Sequence, residues 1–152
     1  MKKLGFTLVE LIITILVIGV LAATVAPRFL GNDSEEATAL RDRTLHVVRN
    51  IQLRAMQNVN DTSCVKITPS TIAPPAGHDC SNAVSTAFDR DQVVNAPSGF
   101  SFQTADESNA AFTQIQFDNM GKPSNIACNT PCEIRVKNVA VCLQQEGAIY
   151  AC

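Results

Sequence analysis

The chain opens with a long apolar run, and shorter alternating segments fill its second half. From Phe6 to Ala26 it holds 21 residues and one charged side chain, Glu10. A run of about 20 apolar residues is long enough to cross a bilayer as a helix. Lys2 and Lys3 precede the run, and such lysines stay on the cytoplasmic side of a membrane. The rest of the chain is therefore expected outside the cytoplasm.

The segment from Glu35 to Asn58 has the period of an amphipathic helix. Its apolar stripe repeats every three or four residues, which predicts one face packed against a core. The stripe consists of Leu40, Thr44, Val47, Ile51, Ala55 and Val59. Four arginines lie mostly off the stripe, and we interpret them as a solvated face, with charge pairing to acidic neighbours as the alternative. They are Arg41, Arg43, Arg49 and Arg54.

Beyond Asp61 the pattern changes to short alternating runs separated by turn residues. The predicted strands are Cys64–Thr68, Gln92–Asn95, Phe100–Gln103, Ala111–Phe117, Glu133–Val136, Val139–Leu143 and Ala148–Ala151. Residues Pro69 to Asn82 are predicted to form a loop. Several short strands behind one long helix predict an α+β domain with an antiparallel sheet.

All six cysteines follow the apolar run, in the part of the chain expected outside the cytoplasm. An even number in an exported domain indicates disulfides, and six cysteines allow fifteen pairings. The pairs we favour are Cys64–Cys80, Cys128–Cys132 and Cys142–Cys152. Zinc ligation by cysteines and His78 is the alternative, but the sequence lacks a Cys-x2-Cys knuckle and the compartment is oxidising. We therefore expect no metal and no cofactor.

Composition and motifs give no support to catalysis or nucleic-acid binding. The sequence has no glycine-rich phosphate loop and no carboxylates at calcium-loop spacing. No Ser or Cys has an evident base partner. The formal charge is −2, with one tyrosine, no tryptophan and no basic block, whereas nucleic-acid binding calls for a basic patch with aromatic residues. We expect neither an enzyme nor a nucleic-acid partner.

Glu10 is the feature of the apolar run that needs an explanation. A carboxylate in a membrane helix costs about 2.5–3.5 kcal/mol near the centre and usually marks a function. An ordinary secretory signal peptide, cleaved after Ala26, is one alternative, but its apolar region spans only about 7–15 residues. A plain single-span anchor is the other alternative. Neither of them explains Glu10.

This N-terminus resembles that of type IV pilins and of the pseudopilins of type II secretion. The residues that carry the resemblance are Gly5-Phe6-Thr7-Leu8-Val9-Glu10 and the apolar run after them. It implies that a prepilin peptidase cuts between Gly5 and Phe6 and that the new Phe6 amine is N-methylated. It also implies that Glu10 pairs with this amine on a neighbouring subunit. The physics agrees, because a buried carboxylate costs far less when paired than when alone.

Gly19 and Pro27 are the weak points of the first helix. A proline removes a backbone donor and clashes with the preceding turn, so we expect a kink or break at Pro27. In the resembling family, a glycine and a proline at these two positions bound a segment that loosens in the assembled filament. The resemblance implies the same loosening from Gly19 to Pro27.

Pattern and resemblance together predict three segments in a pilin fold of the α+β class. Residues 1–5 form a leader, and residues 6–30 form a transmembrane or filament-core helix. Residues 31–152 form a periplasmic or extracellular globular domain, which includes the second half of the helix. The subunit is expected in the inner membrane before assembly and in an extracellular filament afterwards.

The C-terminal pattern is similar to GspH/FimT-type minor pilins, and the N-terminal half is similar to minor pilins of the mannose-sensitive haemagglutinin (MSHA) pilus. This implies a structural subunit, a minor pilin of an adhesive type IV pilus. The alternatives are a type II secretion pseudopilin and a major pilin of the shaft. Expected partners are other pilin subunits, the prepilin peptidase/N-methyltransferase and an inner-membrane assembly platform. The loops Pro69–Asn82 and Asn95–Asn109 are candidate recognition surfaces.

Overall fold

The computed structural model describes residues 7–29, 33–57, 63–85 and 92–152. The chain divides into two compact units, Met1–Ser34 and Glu35–Cys152. Gly5, Phe6 and the expected cleavage site between them lie outside the described residues, as does Val59. The proposed segment boundaries after residues 5 and 30 also stay predictions.

Helix α1 spans Leu8–Phe29 and begins with a hydroxyl cap. The backbone N–H of Glu10 donates to Thr7 Oγ1 at 3.3 Å, and the N–H of Leu11 donates to the Thr7 carbonyl at 3.2 Å. A threonine that accepts in this way satisfies a donor that the first helical turn leaves unpaired. The helix continues through Gly19 and ends two residues beyond Pro27. A break at Pro27 is therefore not found, since one missing donor need not end a helix whose φ angle proline favours.

Helix α2 spans Asp33–Gln57 and buries one face. The buried residues are Ala37, Leu40, Thr44, Val47, Val48, Ile51 and Ala55. The predicted stripe is confirmed as far as Ala55, and Ala37 and Val48 widen it. Thr44 is fully buried, and its hydroxyl donates to the Leu40 carbonyl at 2.9 Å. This bond removes the cost of burying an unpaired hydroxyl in the core.

In the part of the chain that the structure describes, eight strands form two antiparallel four-stranded sheets, which confirms the α+β class. The first sheet has the order β3-β2-β1-β5, and the second has the order β4-β6-β7-β8. The strands are β1 Ser63–Ile67, β2 Thr71–Ala73, β3 Val94–Asn95, β4 Phe102–Ala105, β5 Gln114–Phe117, β6 Cys132–Val136, β7 Val139–Leu143 and β8 Ile149–Ala151.

The first sheet departs from the sequence prediction at β2. The segment from Pro69 to Asn82 was expected to be a loop, yet Thr71–Ala73 lies between β1 and β3 as a strand. All three of its residues are buried, so it lacks the alternation that marks a half-exposed strand. No pattern in the sequence therefore indicated β2 or the division into two sheets.

The second sheet contains the C-terminal meander that the sequence predicted. Strands β6 and β7 pair over five residues each, from Cys132↔Leu143 to Val136↔Val139, through a Lys137-Asn138 turn. Lys137 adopts a positive φ of 52°, which is uncommon for a residue other than glycine. Its ammonium lies 4.1 Å from the centre of the Phe100 ring, a distance that permits a cation–π attraction.

One apolar core joins α2 to both sheets. Val48 of α2 is 1% exposed, Ile115 of the first sheet is fully buried, and Val141 of the second sheet is 1% exposed. Two sheets that share no strand thus bury their inner faces in one cluster with the helix. Helix α2 and both sheets therefore share one core.

A half-buried glutamine of α2 connects the helix to two turns of the chain. The Gln52 side-chain amide donates to the Gly121 carbonyl at 2.7 Å and to the Gly147 carbonyl at 2.6 Å. Both glycines adopt positive φ, 78° and 89°, and each closes a four-residue turn. A Cβ on Gly147 would lie 2.6 Å from the Gly121 carbonyl oxygen, so a side chain does not fit there. The close approach of the two turns requires glycine, and Gln52 supplies donors to both.

We predict that Gln52→Glu destabilises the globular unit by about 1–3 kcal/mol, because a carboxylate cannot donate to two carbonyls. Urea unfolding of the purified chain, followed by circular dichroism, would measure the difference. Gln103→Glu is the matched control, since Gln103 is exposed on β4 and opposite Arg135. Equal urea midpoints for Gln52→Glu and the wild type would mean that the bridge contributes nothing.

Candidate functional site

Over residues 8–22, helix α1 presents apolar side chains to solvent on every side. Leu8 is 74% exposed and Val20 is 59% exposed, on opposite ends of the described stretch. The large exposed residues are Leu8, Val9, Leu11, Ile12, Ile13, Ile15, Leu16, Val17, Ile18, Val20 and Leu21. A helix that is apolar all round is stable only when something apolar surrounds it. This surface therefore calls for lipid or other protein chains.

Glu10 lies in the first turn of α1 and is exposed. Within the described part of the chain, no ion pair involves its carboxylate. The positive end of the helix dipole favours an anion in the first turn, typically by about 0.3–1 kcal/mol. That is too little to offset full burial of a charge, so an unpaired carboxylate would be costly wherever this end of the apolar surface becomes covered.

Two further observations concern α1. No helix among the described residues qualifies as long and apolar enough to span a membrane. At Gly19, an added Cβ would have no neighbouring atom within 4 Å. The open space means that no contact in this chain demands glycine there. Loosening between Gly19 and Pro27 stays a prediction.

The structure pairs the six cysteines as Cys64–Cys80, Cys128–Cys132 and Cys142–Cys152. These are the pairs that the sequence favoured among fifteen. The first ties β1 to the loop after β2, and the third ties β7 to the segment after β8. The second closes a tight loop ahead of β6. Because each sulfur is bonded to another, none of the six is a thiolate that could ligate zinc.

An open groove of about 1080 Å³ runs along α2 beside β3. Arg43 and His46 are exposed in it, whereas two other arginines are held by bonds to the second half of the chain. Arg49 donates to the Ile149 carbonyl at 2.6 and 3.2 Å, and Arg54 donates to Gln92 Oε1 at 3.1 Å. The exposure of Arg43 and Arg49 agrees with the predicted solvated face, and the bonds of Arg49 and Arg54 to distant residues are contacts that no local sequence pattern indicates.

The two loops expected to be recognition surfaces contain the same local structure. Asp79 accepts from the backbone N–H and hydroxyl of Ser81, and Asp106 accepts from both groups of Ser108. Bonds to Ser81 lower the pKa of Asp79. The Ser108 hydroxyl, followed by the Ala110 N–H, lowers the pKa of Asp106. The sequence signal for these turns is the motif Asp-x-Ser-Asn, which occurs at residues 79–82 and again at 106–109. These turns were not predicted from the sequence.

We predict that the Asp106 turn is intact at neutral pH and is lost only below the ordinary aspartate pKa. A lowered pKa means that the ionised form is favoured in the fold. Its stabilisation is present above the unfolded value of about 3.9 and disappears as pH falls through the lower folded pKa. NMR titration of the Ser108 amide signal would measure this.

Asp106→Asn is the control for that titration, because it keeps an acceptor oxygen and does not titrate. Its Ser108 signal should stay constant through the acid range. A wild-type midpoint at or above the ordinary aspartate value would contradict the assignment.

Two comparisons with known proteins give matches. Residues 1–26 match the family model of the prokaryotic N-terminal methylation motif. The type IV narrow pilus major component PilA5 of Thermus thermophilus is 31% identical over 96 residues, which cover 62% of this chain and 79% of that relative. No solved structure matches the chain.

Proposed function

This chain belongs to the type IV pilin family, and from that premise we propose that it is a structural subunit of a type IV pilus rather than an enzyme. The observation that carries the proposal is α1, an exposed helix that is apolar all round and has a single carboxylate near its start. Such a surface suits a bundle of identical helices. The match of residues 1–26 to the methylation motif supports the same function.

In the proposed pathway, the leader of residues 1–5 is removed by a prepilin peptidase, which cuts between Gly5 and Phe6. The same enzyme class methylates the new Phe6 amine. Loss of Lys2 and Lys3 changes the formal charge from −2 to −4, by subtraction of two positive charges. Processing thus removes two lysines and moves the N-terminal amine to the edge of the apolar run.

Glu10 is the proposed assembly residue. Relative to exposure to water, full burial of one leucine or isoleucine side chain contributes about 1.5–3 kcal/mol, so α1 helices stay bundled in a filament outside the membrane. The same burial would leave the Glu10 carboxylate without water, at a cost of several kcal/mol for an unpaired ion. The Phe6 amine of a neighbouring subunit supplies the missing cation. The pairing therefore selects a particular stagger between neighbouring helices.

Before assembly, the proposed location is the inner membrane, with residues 6–30 as a single span and residues 31–152 in the periplasm. An inner-membrane assembly platform would then transfer the subunit into the filament. Loosening between Gly19 and Pro27 would let the helix adjust to its neighbours. Open space around Gly19 is compatible with that adjustment.

Within the pilus, we propose the role of a minor pilin that serves surface attachment, as the C-terminal pattern suggests. The relative from Thermus thermophilus is a major component, and this favours a shaft subunit as the second candidate. A pseudopilin of type II secretion is the third. The three roles differ in where the chain is found and in what amount.

Mass spectrometry of sheared filaments from native cells tests processing and role together. We expect a chain that starts at methylated Phe6 and is lighter by six hydrogens because of three disulfides. A minor pilin should be a small fraction of the filament protein, and a shaft subunit should be the main one. A chain that starts at Pro27 would instead mean an ordinary signal peptide and would overturn the proposal.

We predict that Glu10→Ala blocks incorporation into filaments while the subunit still accumulates in the membrane fraction. The substitution removes the partner of the Phe6 amine and leaves the apolar surface intact. Immunoblots of sheared and membrane fractions would measure both pools. Thr14→Ala in the same helix is the control, since the Thr14 hydroxyl donates to the Leu11 carbonyl of its own helix. Normal incorporation of Glu10→Ala would refute the charge-pairing mechanism.

A further inference from the structure

Among the residues that the structure describes, the groove along α2, here called the arginine groove, is lined by positive side chains and by no negative one. It is lined by Arg43, His46, Arg49, Leu53 and Arg54 of α2 together with residues 93–95, among other residues. None of its described lining residues is an aspartate or glutamate. Three arginines thus face one open groove on a chain whose formal charge is −2.

Contacts hold Arg49 and Arg54 in place without neutralising them. Arg49 bonds to a backbone carbonyl, and Arg54 bonds to a glutamine side chain, neither of which carries a charge. Arg43 is exposed and makes no hydrogen bond or ion pair to a described residue. The groove therefore offers preorganised cationic groups to an anionic partner.

The first turn of the same helix has the opposite charge. Glu35 and Glu36 are exposed there, and no ion pair engages either of them within the described part of the chain. Glu36 and Arg43 are seven residues apart, or about 10 Å along the helix axis at 1.5 Å per residue. Helix side chains pair at spacings of three and four, so these two cannot meet within one chain.

We propose that the arginine groove receives Glu35 and Glu36 of a second copy of this chain. This inference rests on the proposed function, because a pilus places copies of one helix side by side. The basic and acidic regions occupy different parts of α2, so the contact is heterologous: each copy offers its groove to one neighbour and its acidic turn to another. Repeated heterologous contacts that do not close into a ring generate a helical filament.

The lining of the groove favours a protein partner over a nucleic acid. Single-stranded nucleic acids stack their bases on aromatic side chains, and the described lining has no phenylalanine, tyrosine or tryptophan. Leu53 is 55% exposed in the groove. An apolar contact of this kind suits a helical turn of a second copy, in which Ala39 is exposed beside the acidic residues.

Charge reversal in full-length subunits tests the contact in filaments. We expect Arg43→Glu to lower the filament-to-membrane ratio about fivefold, and Glu35→Arg/Glu36→Arg to lower it to a similar extent. Co-expression of the two variants should restore incorporation of both, because each supplies the charge that the other lost. Arg43→Lys is the matched control and should resemble the wild type.

The outcomes separate this inference from the proposed function. If Glu10→Ala abolishes incorporation but Arg43→Glu leaves it unchanged, the chain is a pilus subunit and the groove contact is wrong. Absence of the wild-type chain from filaments would reject both. If Arg43→Glu enters filaments normally but reduces the binding of fluorescent single-stranded DNA, the groove is a polyanion site and the inference is overturned. Equal membrane levels of all variants would establish that they fold.

Discussion

The globular unit depends on the burial of one face of α2 against two sheets that share no strand. Among the described residues, no strand of one sheet pairs with a strand of the other, so the apolar cluster and the Gln52 bridge provide much of the connection. Val65, Ile72 and Ile115 of the first sheet belong to the same buried cluster as that face of α2. The large apolar side chains of α1 from Leu8 to Leu21 are exposed. The chain thus combines a domain that has its own apolar core with a helix whose apolar side chains must be covered by lipid or by other chains.

Much of this fold could be predicted from the period of the sequence. The stripe of α2 and the meander of β6, β7 and β8 follow regular spacings, and the structure has them close to the expected residues. Strand β2 was not predicted because all three of its residues are buried, so its sequence lacks the alternation of apolar and polar residues that marks a half-exposed strand. The Gln52 bridge was missed because it joins residues 69 and 95 positions apart, which no local pattern encodes.

The candidate sites also divide into those that a local sequence pattern indicates and one that only the fold brings together. Glu10 is conspicuous in the sequence because it is a lone charge in an apolar run, and the cysteines are conspicuous because they lie near their partners. The arginine groove could not be predicted, since β3 forms one of its walls and reaches α2 only in the folded domain. The arginines were visible in the sequence, but their common orientation was not.

The paired bonds of Gln52 also have a mechanical meaning. A helix held by a single contact can rotate about its axis while that contact adapts. Gln52 instead donates to two carbonyls from separate turns, which approach so closely that a Cβ on Gly147 would lie 2.6 Å from the Gly121 carbonyl oxygen. Rotation of α2 would break both bonds at once. A torque applied to α2 should therefore turn the whole globular unit as a rigid body, and the torsional stiffness of any assembly built on α2 would include that of the sheets.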